Sequence, residues 1–69
     1  MKAAIIGTGF MGHVHGNAAA LAGVDLIGFA GSSQAKADEI AAGFRGAKGF
    51  SSFEAVLDAE PDIIHICTP

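Results

Sequence analysis

Three glycines in Gly7-Thr8-Gly9-Phe10-Met11-Gly12 stand at the spacing G-x-G-x-x-G, directly after the apolar run Ala3-Ala4-Ile5-Ile6. The chemistry open to such a stretch is anion recognition by main chain. The first glycine permits a tight turn, the second lets a pyrophosphate approach bare backbone, and the third lets a following helix pack close to the strand. A helix that starts there aims unpaired N–H groups and the positive end of its dipole at the phosphate. Glycine-rich turns are common, so the string carries weight only between a strand and a helix. Both neighbours are present here. Phe10 and Met11 sit on the turn itself, where their N–H groups can face the pyrophosphate while their side chains staple the turn or seal the site.

A dinucleotide site usually has an Asp or Glu about 20 residues beyond the glycine turn, accepting hydrogen bonds from the adenosine ribose. At that distance this chain has Gly31-Ser32-Ser33 and no acid. Asp25 lies at the other end of the same segment, and Asp38 and Glu39 fall turns into the next helix. A carboxylate would repel a ribose 2′-phosphate, whereas Gly31 leaves room for one, and Ser32, Ser33 and a helix N-terminus offer donors. NADP is therefore expected ahead of NAD. Lys36, one turn into that helix, either reaches the phosphate as a point charge or is a solvated surface lysine.

The histidines and the cysteine suggest less. His13 and His15 are two residues apart on a helix, so their side chains diverge and do not form the i, i+4 pair that holds a metal. No metal site is expected. His15 borders the apolar face, where it packs or hydrogen-bonds locally. His65, inside an apolar strand, reads as a neutral, hydrogen-bonded core histidine. Cys67 lies near the end of that strand without a paired base in view, so it is not read as a nucleophile.

These residues need a frame to hold them, and the blocks of apolar and turn residues supply one. The first strand runs from about Ala3 to Ile6. A helix follows with Met11, Val14, Ala18, Leu21 and Ala22 on one face, closed by Gly23. Asp25 to Ala30 reads as a buried parallel strand. Ser32 or Ser33 caps a second helix, in which Ala37, Ile40, Ala41 and Phe44 recur at helical spacing and which Gly43 or Gly46 ends. Gly49-Phe50 is a very short third strand. Ser51 and Glu54 form a capping box for a third helix striped by Phe53, Val56 and Leu57, which Pro61 and Asp62 stop. Ile63 to Cys67 is the last strand, apolar on both faces, ended by Thr68-Pro69. The fold class is α/β, a Rossmann-like parallel sheet of strand order 3-2-1-4, incomplete because it is one mononucleotide-binding half. Gly7, Gly31 and Thr68 would then share one rim at the carboxyl ends of the strands.

The 69 residues, 51% hydrophobic with a net charge of -3, describe a globular chain of at most one domain, and no basic cluster is present to grip nucleic acid. The apolar runs are too short to cross a bilayer and no leader opens the chain, so the expected location is cytoplasmic. A single cysteine suits a reducing compartment.

The stretches A-I-I-G-T-G-F-M-G, His15, D-L-I-G-F-A, F-S-S-F-E-A-V-L and P-D-I-I-H-I-C-T-P make the whole chain resemble the opening half of the Gfo/Idh/MocA oxidoreductases, named for glucose-fructose oxidoreductase and inositol dehydrogenase. The ending on T-P is more specific than the glycine turn. The resemblance implies that residues 1–69 are the N-terminal part of a dinucleotide-binding domain. The substrate domain is absent, and so is a Glu-Lys-Pro motif whose lysine serves catalysis, which leaves the catalytic residues unassigned. It implies pyrophosphate contacts from Gly7, Gly9, Phe10, Met11 and Gly12, adenosine-side contacts from Gly31, Ser32 and Ser33, and contacts from Thr68 and Pro69 beneath the rest of the cofactor. The family often has an acid at Gly31, and the departure again argues against NAD. Hydroxyacid and 6-phosphogluconate-type dehydrogenases share a G-x-G-x-M-G turn, but their fourth strand usually closes on Leu-Pro and their second helix usually follows Asn-Arg or Ser-Arg.

The expected function is the nucleotide-binding portion of an NAD(P)-dependent oxidoreductase that transfers hydride to or from a sugar- or cyclitol-like hydroxyl carbon. A small-molecule substrate would bind through the missing domain, and the full-length protein is expected to be a homo-oligomer. A non-catalytic dinucleotide sensor is an alternative of another class, since fold alone does not fix function. A methyltransferase would need an acid after the second strand for the ribose, and none is there. So short a chain rarely nets more than about 3 to 5 kcal/mol from its own core, so alone it is expected to be marginal or oligomeric and inactive.

Overall fold

A computed structural model describes residues 1–67 of the chain. Four strands, β1 (Lys2–Ile6), β2 (Asp25–Ala30), β3 (Lys48–Phe50) and β4 (Ile63–Ile66), alternate with the helices α1 (Phe10–Leu21), α2 (Gln34–Ala41) and α3 (Phe53–Asp58). The strands form one parallel sheet in the order β3-β2-β1-β4, as right-handed crossovers between them predict. Thr68 and Pro69 lie outside the described residues.

Alternation along β1 divides the core in two, because successive side chains point to opposite faces. Ile5 joins Leu26, Phe29, Ile40 and Ala41 beneath α2, with Phe44 packed at the margin. Ala4 joins Ala30, Phe50 and Val56 beneath α3. Phe29, Ile5 and Val56 are fully buried, and burial of each is worth about 1.5 to 3 kcal/mol. Ile6 pairs with Ala30 on one side and with Ile66 on the other, so the carboxyl ends of β1, β2 and β4 finish level.

Two local expectations change. The first concerns α1. The face expected to be buried is turned outward, with Met11 48%, Val14 41% and Leu21 90% exposed, and Ala18 and Ala22 exposed too. Gly12, Gly16 and Ala19 face the sheet instead. The helix lies so close that a Cβ on Gly16 would come within 2.7 Å of the Phe44 ring and 3.1 Å of the Phe29 ring. Small residues, not large apolar ones, make that approach possible.

The second change is at α3. Its cap is Ser52, one residue later than expected, whose hydroxyl accepts from the Ala55 N–H at 3.1 Å. β4 is an edge of the described sheet, as the order 3-2-1-4 requires, with Ile63 and Ile66 exposed. The cap of α2 resolves to Ser33, whose hydroxyl accepts from the Lys36 N–H at 3.2 Å. That helix ends at Ala41 with Ala42 as its cap, one residue before Gly43, and Phe44 packs from the turn beyond.

Candidate cofactor-binding site

The rim expected from topology is a hollow. A cavity of about 690 Å³ opens where the strands end, within the size range of small-ligand sites. Ile6 ends β1 at its floor, Gly7, Thr8 and Gly9 form the turn above it, and Met11 contributes from the first turn of α1. Ala30, Gly31 and Ser32 close the side below β2, Cys67 the side below β4, and Phe53 the far wall from the start of α3.

The three glycines of the turn differ in what demands them. Gly7 has φ +127, a region closed to ordinary side chains, and a Cβ on it would lie 3.0 Å from the Cys67 carbonyl oxygen. Its N–H donates to the Ala30 carbonyl at 2.7 Å, and the Cys67 N–H donates to the Ile6 carbonyl at 2.8 Å, so the turn is bound to both neighbouring strands. Gly12 packs against it, with a built Cβ 2.5 Å from the Gly7 carbonyl oxygen. At Gly9 nothing lies within 4 Å of a built Cβ. Its openness on the cavity side is what a pyrophosphate approaching bare backbone requires.

Gly9 also caps α1 with no side-chain hydrogen bond, and the first intrahelical bond runs from the His13 N–H to the Gly9 carbonyl at 3.2 Å. The N–H groups of Phe10, Met11 and Gly12 therefore precede the intrahelical ladder, and the helix dipole adds partial positive charge there. Donors without a side-chain cap, a glycine with open space and a level rim fit a nicotinamide dinucleotide's diphosphate.

Of the residues singled out in the sequence, Gly7, Gly9, Met11, Gly31 and Ser32 line this cavity together. Phe10 opens α1 and Gly12 stands behind the turn. Ser33 is at the cap of α2. Lys36 is elsewhere, in a second hollow of about 320 Å³ shared with Thr8, Gly9, His13, Glu39 and Ile40. Glu39 sets a negative charge beside it. Thr68 and Pro69 lie outside the described residues.

Thr8 and Phe53, together with the strand-end residues Ile6 and Ala30, line the cavity without having been singled out as site residues in the sequence. Thr8 counted only as a spacer in the glycine pattern. Phe53 opens the helix that follows a parallel strand, and that position alone puts it at the rim. Cys67 does lie at the rim, half-buried, with its main chain in the sheet pairing.

His15 bonds across the fold, not locally. Its Nδ1 lies 3.3 Å from the Nδ1 of His65, with the ring centroids 5.3 Å apart, so one ring donates and the other accepts. The pair ties α1 to β4 and accounts for a half-buried histidine in the strand.

A parallel sheet of this order with a glycine turn at the point where the order reverses defines a Rossmann-type nucleotide-binding unit. The sequence model of the GFO_IDH_MocA oxidoreductase family, NAD-binding Rossmann fold, matches residues 1–69, and the chain belongs to that family. Among solved structures it is similar to UDP-N-acetylglucosamine 3-dehydrogenase GnnA from Acidithiobacillus ferrooxidans. In one crystal form the TM-score is 0.86 at 36% identity, covering 100% of this chain and 21% of that one. In a second crystal form the TM-score is 0.85 at 36% identity, covering 100% and 22%. The chain thus spans about a fifth of that protein's length. None of the curated proteins compared matches it. No helix among the described residues is long and apolar enough to cross a membrane.

Proposed function

We infer that residues 1–69 are the N-terminal part of a dinucleotide-binding domain and that the parent protein is an NAD(P)-dependent oxidoreductase acting on a hydroxyl carbon of a sugar- or cyclitol-like molecule. The observation that carries this reading is the cavity at the strand ends, with the open face of Gly9 and the uncapped start of α1 on its edge. The likeness to a UDP-sugar dehydrogenase supports the substrate class. The cofactor, when bound, accepts or gives the hydride; the residues of this chain hold and orient it. Gly7, Gly9, Phe10, Met11 and Gly12 serve the diphosphate, Gly31, Ser32 and Ser33 the adenosine side, and Thr68 and Pro69 the remainder. Ser33 keeps its hydroxyl hydrogen free to donate, since its oxygen is the acceptor in the cap.

NADP is the preferred coenzyme in this reading, with NAD as the weaker one. The end of β2 carries no acid to repel a 2′-phosphate, and Lys36 adds a cation nearby, partly offset by Glu39. The parent protein acts in the cytoplasm as a homo-oligomer. Titration of the full-length protein with NADPH and NADH, followed by nicotinamide fluorescence, tests the reading. A lower dissociation constant for NADPH supports it, equal or reversed affinities refute the preference, and no response to either refutes the cofactor site.

A further inference from the structure

Gly31 is a glycine for want of space, not for conformation. Among the described glycines only Gly7, Gly23 and Gly46 have positive φ, so the backbone at Gly31 is not in the left-handed region. A Cβ built on it would overlap the Cγ2 methyl of Thr8, with Thr8 Oγ1 at 3.1 Å and Thr8 Cβ at 3.3 Å. Thr8 is half-buried on the turn and borders both hollows, and its β-branched side chain is stiff about χ1. Rotation replaces the methyl with the hydroxyl or with hydrogen, but the Thr8 Cβ stays where it is. Any side chain at the end of β2 must therefore be admitted by the residue in the middle of the glycine turn.

We propose that Thr8 is a coenzyme-specificity residue: its methyl group fills the volume through which an acid at position 31 would reach the ribose, and so keeps that strand end uncharged. The proposal rests on the coenzyme reading above. Positions 8 and 31 then act as a pair. An acid introduced at 31 selects NAD only when the side chain at 8 is cut back, and in its presence Thr8 displaces the acid, the turn, or both.

The test is a double-mutant cycle in the full-length protein with G31D, T8A and T8A/G31D, read by thermal melting and by the dissociation constants of NADH and NADPH. G31D alone is expected to lower the melting temperature and weaken both coenzymes. T8A/G31D is expected to recover most of the melting loss and to move the affinity ratio toward NADH by on the order of tenfold to a hundredfold, as a charge-assisted hydrogen bond allows. A G31D variant that misfolds while T8A/G31D folds has the same meaning. If both misfold, G31A and T8A/G31A decide, since the alanine Cβ already meets the methyl; coupled melting temperatures support the contact. Additive effects, or a full shift to NADH in G31D alone, overturn the proposal. If the unaltered protein binds neither coenzyme, the cofactor reading fails and the specificity role with it, whereas melting coupling between the two positions still marks the packing as real.

Discussion

Alanine at Gly9 and at Gly12 separates a cradle for a ligand from a turn that only packs. At Gly12 the added methyl would lie 2.5 Å from the Gly7 carbonyl oxygen, 3.1 Å from its carbon and 3.5 Å from Ile40 Cδ1. An ordinary carbon–oxygen contact is about 3.3 Å, so the helix and the turn must part by roughly 0.8 Å. Gly7 cannot give way, because its N–H is bonded to Ala30 at 2.7 Å and its Cα faces the Cys67 carbonyl. The first turn of α1 moves outward instead. Overpacking of this kind costs about 1 to 3 kcal/mol, and the better helix propensity of alanine returns about 1, leaving a net loss of up to about 2 kcal/mol.

Gly9 behaves differently. With φ -85 and no atom within 4 Å of the new methyl, G9A meets no protein group. Its stability changes by less than about 1 kcal/mol, a poorer cap set against a less flexible unfolded chain. On the proposed function, the methyl would stand in the diphosphate's path. Coenzyme dissociation constants are expected to rise about tenfold or more in G9A, equivalent to about 1.4 kcal/mol. They rise in G12A as well, because the displaced helix carries its amides away. Fluorescence titration and thermal melting of the full-length variants check this. Unchanged coenzyme affinity in G9A, or a melting loss in G9A as large as in G12A, refutes the cradle.

Lys36→Ala is expected to raise the NADPH dissociation constant about three- to tenfold and to leave NADH unaffected, a loss on the scale of one exposed charge-assisted contact; equal changes for both coenzymes would take Lys36 out of the site. Gly16→Val drives a side chain into Phe44 and Phe29, and a loss of at least about 2 kcal/mol in a urea titration is expected; a variant as stable as the parent would contradict the close helix approach. For His15 and His65, a cycle of phenylalanine variants at pH about 8 should show a coupling of about 0.5 to 1.5 kcal/mol, and none if the 3.3 Å contact is not a hydrogen bond.

The strands were legible because buried parallel strands read as short, mostly apolar runs, and β2 is such a run, Leu26 to Ala30, preceded by the exposed Asp25. Their order followed from right-handed crossovers, and the rim followed from their order. The buried face of α1 was not legible from apolar spacing. Periodicity finds the face with the largest side chains, whereas the distance of a helix from a sheet is set by the smallest, and the stripe Gly12, Gly16, Ala19 held the answer at i, i+4 and i+7. The third glycine of the turn already serves close packing of helix on strand. The same reasoning extended by one helical turn would have reached Gly16.

Sequence reasoning about the site leans toward residue types with evident chemistry. Lys36 stands out for its charge and borders the neighbouring hollow, which shares Thr8 and Gly9 with the first. Thr8 and Phe53 were passed over although a parallel sheet brings the first residues after every strand to the same edge. Position relative to a strand end is thus a better guide to this rim than polarity. A threonine between two glycines deserves the question asked of an acid at the end of β2, because both compete for the same few ångströms of space.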